Sequence, residues 1–281
     1  TVMQSLFSAI RNAFAHGSFC VKKYEKTQVY FFSNYDNYLK AENLTVDTII
    51  CTHCHVDHIC GNKYFHDLYG CKILSTEKEK PFIAQPDLEG SFYYMGIDTD
   101  KTRNPFFTVE PSVIDVLHKE MLPDGFETVS LPGHAFDMIG IKTPDNVFFV
   151  ADSILSEKTW AEYKVPFFHD VNKSISTLKM LKEDDAEFFV PSHNEPLTNI
   201  SRLAELNINK LEELKDTVYG LCNGTGFDEI FTSLLNKLSL KIRTEKYVSY
   251  SIMLRSILQA LVEDEKIKAI MDDGKFIYIR T

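Results

Sequence analysis

The stretch Cys51–Asn62, CTHCHVDHICGN, constrains this chain more than any other, because it crowds three imidazoles and a carboxylate into the six positions from His53 to His58. One histidine in a folded core is satisfied by a hydrogen bond or two, whereas three beside an aspartate make a set of metal donors. His53 and His55 stand two apart, so an extended backbone sends both side chains to one side. The turn that follows brings Asp57 and His58 round to a neighbouring point. This layout provides for two cations. Neutral imidazole with carboxylate suits zinc, and iron or manganese are alternatives because nitrogen and oxygen donors do not exclude them strongly.

Composition narrows the partners. A chain of 281 residues can bury one large domain with a smaller appendage. Thirty basic against forty acidic residues leave a net charge of −10, which disfavours nonspecific binding to phosphate backbones or anionic membranes. A small-molecule substrate is therefore expected, with no nucleic acid and no membrane. No apolar run approaches the roughly 20 residues that cross a bilayer. The opening TVMQSLFSAIRNAFAHGSF lacks the basic and apolar regions of an export signal. The six cysteines have no regular spacing, the pattern of reduced thiols in a cytoplasm rather than of a disulfide framework.

Short runs rich in branched and aromatic residues predict strands at SFCVKK, QVYFF, DTIICT, CKILST, ETVSLP, MIGIKT, VFFVADS and EFFVPSH, with helices at NKYFHDLYG and SISTLKMLKED between them. Four runs lead straight into polar residues: TIICT into His53, SLPG into His134, FFVA into Asp152 and FVPS into His193. Strand ends hold such side chains rigidly at the edge of a cleft. Beyond about residue 199 the texture turns helical. Leu211, Leu214 and Val218, then Ile230, Leu234 and Leu238, then Met253, Leu254, Ile257, Leu258 and Leu261 follow helical spacing. The final KIKAIMDDGKFIYIRT reads as a hairpin. Residues 1–199 are thus expected to form the catalytic domain and 200–281 a helical, winged-helix-like unit. Its acidic hairpin and last helix argue for packing on the catalytic domain or in a homodimer rather than on DNA.

THCHVDH resembles the His-x-His-x-Asp-His signature of the metallo-β-lactamase superfamily, and PGH at His134, VADS at Asp152 and PSH at His193 are similar in order and context to its remaining metal motifs. The resemblance runs from about residue 17 to about residue 195. It implies an α+β fold, a four-layer αβ/βα sandwich of two facing sheets with helices outside and metals at one edge. It gives His53, His55 and His134 to one metal, Asp57, His58 and His193 to a second, and Asp152 to both. The implied cofactor is two zinc ions that share and activate a hydroxide, with Asp57 also placed to orient the nucleophile's proton. A carboxylate at Asp152 is similar to the glyoxalase II, lactonase and phosphodiesterase branches rather than to lactamases with a cysteine there. The implied activity is hydrolysis of a small thioester, lactone or phosphodiester. A mononuclear-iron sulfur dioxygenase and a non-catalytic metal-binding scaffold are the alternatives.

The chain departs from the family pattern in places. Ser33 stands where an acidic residue usually follows the second strand, with Asp36 three residues on. Phe136 and Asp137 replace small residues after His134, Phe136 as a candidate pocket wall and Asp137 as a loop residue. From Glu77 to Val113 no periodicity is evident, which suggests a lid or a packed segment whose Phe92, Tyr93, Tyr94, Met95, Phe106 and Phe107 could wall a pocket. His66 and His169 are read as packed or solvent-facing histidines, Cys54 and Cys60 as small core residues, and NGTGF as a turn between helices.

Overall fold

The runs DTIICT and CKILST form β1 (Thr48–Ile50) and β2 (Lys72–Ser75), paired in parallel with Ile49 opposite Ile73. The structure, a computed structural model, describes residues 45–93 and 109–281. The runs SFCVKK and QVYFF, with Ser33 and Asp36, lie outside the described residues, as do Tyr94, Met95, Phe106 and Phe107. A parallel pair needs a crossover, and here it is a single turn, α1 (Val56–Ile59), followed by α2 (Asn62–Tyr69). Helix α2 stops at Gly70, whose left-handed φ of 67° lets its N–H reach the His66 carbonyl at 2.7 Å. Among the described residues β3 (Asp115–Val116) completes a sheet of order β1-β2-β3.

Part of the segment expected to lack regular structure is helical, as α3 (Lys80–Ala84) and α4 (Asp87–Tyr93). Five and seven residues are too few to display a readable period.

A second sheet has the order β4 (Glu127–Ser130), β5 (Ile139–Lys142), β6 (Val147–Ala151) and β7 (Phe188–Pro191). Strand β5 pairs antiparallel with both β4 and β6, while β6 and β7 pair in parallel. VFFVA is apolar throughout because β6 is flanked on both edges and all but Phe149 is buried. The parallel pair has a functional consequence: the residues that follow β6 and β7, Asp152 and His193, leave the sheet at the same end.

The described residues form two compact units, one of residues 45–93, 109–130, 136–152 and 186–198, the other of residues 131–135, 153–185 and 199–281. The second unit contains α5 (Glu157–Tyr163), α6 (Val171–Lys182), α7 (Ser201–Tyr219), α8 (Phe227–Lys237) and α9 (Thr244–Glu263). Ser156 and Asp170 cap α5 and α6 by accepting the N–H of Thr159 and of Lys173, each at 3.0 Å. The predicted helical stripes are the buried ones, with Leu211, Leu214 and Val218 on α7 and Met253, Leu254, Ile257, Leu258 and Leu261 on α9. The hairpin is present as β9 (Ile267–Asp272) and β10 (Lys275–Arg280), turning through Asp273 and Gly274, both at positive φ. NGTG is not the turn expected. It forms β8 (Asn223–Gly226), which pairs with β10 in a sheet of order β8-β10-β9. Its partner lies some fifty residues away, so no local pattern announces it. No helix among the described residues is long and apolar enough to cross a membrane.

Asn207 ties this unit together. Its Oδ1 accepts the Leu155 N–H at 3.0 Å and the Trp160 indole N–H at 2.8 Å, while its Nδ2 donates to the carbonyls of Leu155 and Leu203, both at 2.8 Å. The side chain is fully buried and uses its whole bonding capacity. Replacing it by leucine strands the Leu155 and Trp160 donors, at roughly 1–3 kcal/mol for each unsatisfied group. Asn207→Leu should therefore lower unfolding stability by about 3 kcal/mol, read as a fall in the denaturation midpoint of the full chain.

Candidate metal centre

Asp57 and His58 occupy consecutive positions on the single turn α1, Asp152 follows β6 and His193 follows β7. The chain brings these four side chains together. His193 Nε2 lies 3.2 Å from Asp57 Oδ2 and 3.3 Å from Asp152 Oδ2. His58 Nε2 lies 3.4 Å from Asp152 Oδ1 and 3.6 Å from Asp57 Oδ2. Charge-assisted N–H···O bonds are shorter, about 2.7–2.9 Å. Donor atoms held at roughly 2.1 Å from one cation in a tetrahedral shell stand about 3.4 Å apart. The spacing is that of a ligand shell, and the donor set of two imidazoles and two carboxylates fits zinc or another divalent first-row metal.

The electrostatics agree with the geometry. Burial alone would raise the Asp57 carboxyl, but the facing imidazoles of His58 and His193 outweigh it and hold it at about 2. Asp152 is likewise held well below the usual carboxylate range, burial being outweighed by His193 and His58. Asp152 and then its hydrogen-bonding partners push His193 up to about 11. Burial would lower His58, yet Asp152 and Asp57 raise it. Two carboxylates, one buried and one half-buried, thus demand positive charge beside them.

The backbone around Asp152 is specialised. Ala151 adopts φ 47°, rare for a residue with a side chain, where the β6–β7 register shifts between Phe149 and Ala151. Such a bulge re-aims the next side chain. The Ala151 carbonyl is held by the Ser192 N–H at 3.1 Å, so the residues preceding Asp152 and His193 are tied directly to each other.

His53 and His55 stand beside this group, their rings edge to face with centroids 4.6 Å apart, and the His53 ring lies 4.1 Å from that of His58. The Thr52 hydroxyl is 3.0 Å from His53 Nδ1. The backbone bends at Thr52 and His53 and is extended at His55, with φ −59° and ψ 142°. His134 belongs to the second unit. Its loop is seated on the start of α6: the Asp170 N–H donates to the Gly133 carbonyl at 2.8 Å and the Thr177 hydroxyl to the Pro132 carbonyl at 2.7 Å. A Cβ on Gly133, at φ 130°, would come within 2.4 Å of the Ser174 nitrogen, so only glycine fits there. The His134 ring packs edge-on to Phe167 and Phe168, at 5.9 and 6.0 Å.

Two acidic residues near the centre were not legible in the sequence. Glu89, on α4, is buried with Oε1 3.6 Å from His55 Nε2, and burial pushes its carboxyl up to about 8. Glu79 is fully buried and accepts the Cys54 N–H at 2.9 Å and the Asp137 N–H at 2.6 Å. Both lie in the stretch expected to be a lid or a packed segment. Within it Phe82 stacks on Phe136 at 4.6 Å, and Phe92 and Tyr93 flank Phe136 at 5.2 and 6.0 Å. Phe136 thus belongs to an aromatic cluster. Asp137 enters through its backbone. Cys54 is a core residue whose thiol burial keeps protonated. His66 is a packed histidine with Nδ1 2.8 Å from the Cys71 carbonyl oxygen. His66 and His169 belong to neither donor group among the described residues.

The sequence profile of the metallo-beta-lactamase superfamily matches residues 25–193. Curated relatives include a hydroxyacylglutathione hydrolase of Bradyrhizobium, 28% identical over 119 residues (42% of this chain and 38% of the relative). A beta-lactamase-like protein 2 homolog of Drosophila melanogaster is 24% identical over 168 residues (58% of this chain and 50% of that one). The chain therefore spans half or less of the length of these relatives. A crystal structure of a metallo-beta-lactamase family protein from Thermus thermophilus superposes over 94% of this chain and 88% of its own, with a TM-score of 0.66 at 15% identity. That likeness establishes the shared fold.

Because His58 and His193 hold their protons more tightly than a free imidazole, and a metal binds the neutral ring, metal uptake should expel protons even above the ordinary histidine range. Titration calorimetry of the metal-free protein at pH 8, in two buffers of different ionisation enthalpy, should count about one proton or more released per zinc. Asp152→Asn, which removes the main cause of the His193 shift, should lower that count. No release at pH 8 would contradict the charge balance described above.

Proposed function

The chain belongs to the metallo-β-lactamase superfamily, and from that premise we propose that it is a dinuclear metallohydrolase acting on a small ester-like substrate: a thioester, a lactone or a phosphodiester. The observation that carries the reading is the four-donor shell of Asp57, His58, Asp152 and His193, with a carboxylate, not a thiolate, following β6. In this proposal His53, His55 and His134 hold one cation, as the family resemblance implies, and Asp57, His58 and His193 the other, these last three standing in one donor group. Asp152, grouped with the second set, is proposed to serve both. Zinc is the proposed metal, with iron and manganese as substitutes. A relative named as a hydroxyacylglutathione hydrolase supports the thioester among the three substrate classes.

Cations bound there would supply Lewis acidity, lowering the pKa of water toward roughly 7 and polarising the substrate's carbonyl or phosphoryl oxygen. The chain's own contribution is positional and electrostatic. Asp57, on the α1 turn and facing His58 and His193, would accept a hydrogen bond from the attacking nucleophile and so orient its proton. The parallel β6–β7 pair and the Ser192–Ala151 hydrogen bond fix the backbone that carries Asp152 and His193, which limits the reorganisation the reaction would need.

Zinc-loaded protein assayed on one thioester, one lactone and one phosphodiester should turn over at least one of them. Chelation should abolish that activity, and added zinc should restore it. Asp57→Asn should lower kcat by about 10²–10⁴-fold. No turnover on all three with both metals bound would sink the proposal, and oxygen uptake with a persulfide at a single iron would favour the dioxygenase instead.

A further inference from the structure

We propose that Glu79 is a positioning residue for the metal centre, a single carboxylate clamping the loop that bears His53 and His55 to the segment that enters β5. The inference rests on the metal reading above but is argued from different contacts. Glu79 has no solvent exposure, and its two oxygens divide their work: Oε2 accepts the Cys54 N–H at 2.9 Å and Oε1 the Asp137 N–H at 2.6 Å. Hydrogen bonds to an ionised carboxylate are about twice as strong as neutral ones.

The position of the first bond gives it leverage. The Cys54 nitrogen belongs to the peptide between His53 and Cys54, and the next residue is His55. Fixing that N–H fixes the peptide plane on which the directions of both imidazoles depend. The second bond is reinforced from the same turn. The Thr76 hydroxyl donates to the Asp137 carbonyl at 3.3 Å, and the Glu79 N–H donates to that hydroxyl oxygen at 3.4 Å, so Asp137 is gripped at both of its backbone groups. The Ile139 N–H then donates to the Thr52 carbonyl at 3.1 Å, closing a circuit that runs from Thr52 through Cys54, Glu79 and Asp137 back to Thr52. Cys54 itself packs in an apolar cluster with Cys51, Ile59, Ile73, Ile83 and Ile114, where no water can replace a lost acceptor. A carboxylate suits this place because it offers two acceptors and no donor; a glutamine turns an NH₂ against one of the two N–H groups.

The test compares the full chain with Glu79→Ala and Glu79→Gln by amide hydrogen exchange of the metal-free protein and by zinc competition with a chromophoric chelator. In Glu79→Ala, exchange at Cys54 and Asp137 should quicken at least tenfold while the β9–β10 amides stay as protected as before. The zinc assigned to His53 and His55 should bind about 10–100-fold more weakly, and the zinc assigned to the Asp57 group should change less. Glu79→Gln should fall between, and it carries the test if the alanine variant does not fold. Unchanged exchange at both amides overturns the clamp. Faster exchange with unchanged zinc affinity also overturns the proposal, since the glutamate then braces only the backbone. A wild-type chain that binds no metal would remove the proposed function, while the exchange contrast would still decide whether Glu79 holds the two segments.

Discussion

Two carboxylates, the buried Asp152 and the half-buried Asp57, face the same two imidazoles, and much of the surrounding architecture serves to keep them there. Like charges out of water repel, and each loses hydration worth several kcal/mol. A fold tolerates such a pair only where positive charge is supplied. In this chain the supply is interchangeable, protons on His58 and His193 or a divalent cation among the same atoms. The interchange has a practical side. The donor atoms of Asp57, His58, Asp152 and His193 stand close enough together to share one ion.

Holding these groups is a task for strand ends and short turns. The parallel pairing of β6 with β7 makes Asp152 and His193 neighbours by topology, and the α1 turn presents Asp57 and His58 side by side. What those elements do not fix is the segment from Cys51 to His55, held through its backbone by the Cys51 N–H to Leu74 carbonyl bond at 2.8 Å and the Ile139 N–H to Thr52 carbonyl bond at 3.1 Å. Side-chain to backbone bonds supply the remainder. The stretch from Thr76 to Glu79 provides them on one side, and the Asn62 amide supports Cys51 Sγ at 3.2 Å on another.

The candidate donors were legible because ligation demands particular residue types at short, unusual spacings, and chance seldom sets three histidines and an aspartate in six positions. The strands that carry them were legible for a different reason: β6 is buried on both sides and reads as an unbroken apolar run. Glu79 and Glu89 could not be found in the same way. In EKEKPFIAQPDLEG a glutamate has the look of a solvated charge, and only the tertiary path of α3 and α4 shows that these two point inward. Helices as short as α3 and α4 escape detection because a period cannot be counted in fewer than two turns. Strand β8 escaped because its identity comes from β10, a partner remote in sequence, and glycine-rich NGTG carries no strand propensity of its own.

The backbone at Ala151 sets two selective pressures against each other. A left-handed alanine costs on the order of 1 kcal/mol that a glycine would not. Laboratory evolution toward heat resistance alone would be expected to find that relief quickly. The same replacement would lengthen the list of conformers open to the peptide leading into Asp152, loosening a carboxylate whose usefulness depends on its having one orientation. Populations selected for turnover and populations selected for endurance should therefore diverge at this residue first, and a sequence survey of such lineages would record which demand had prevailed.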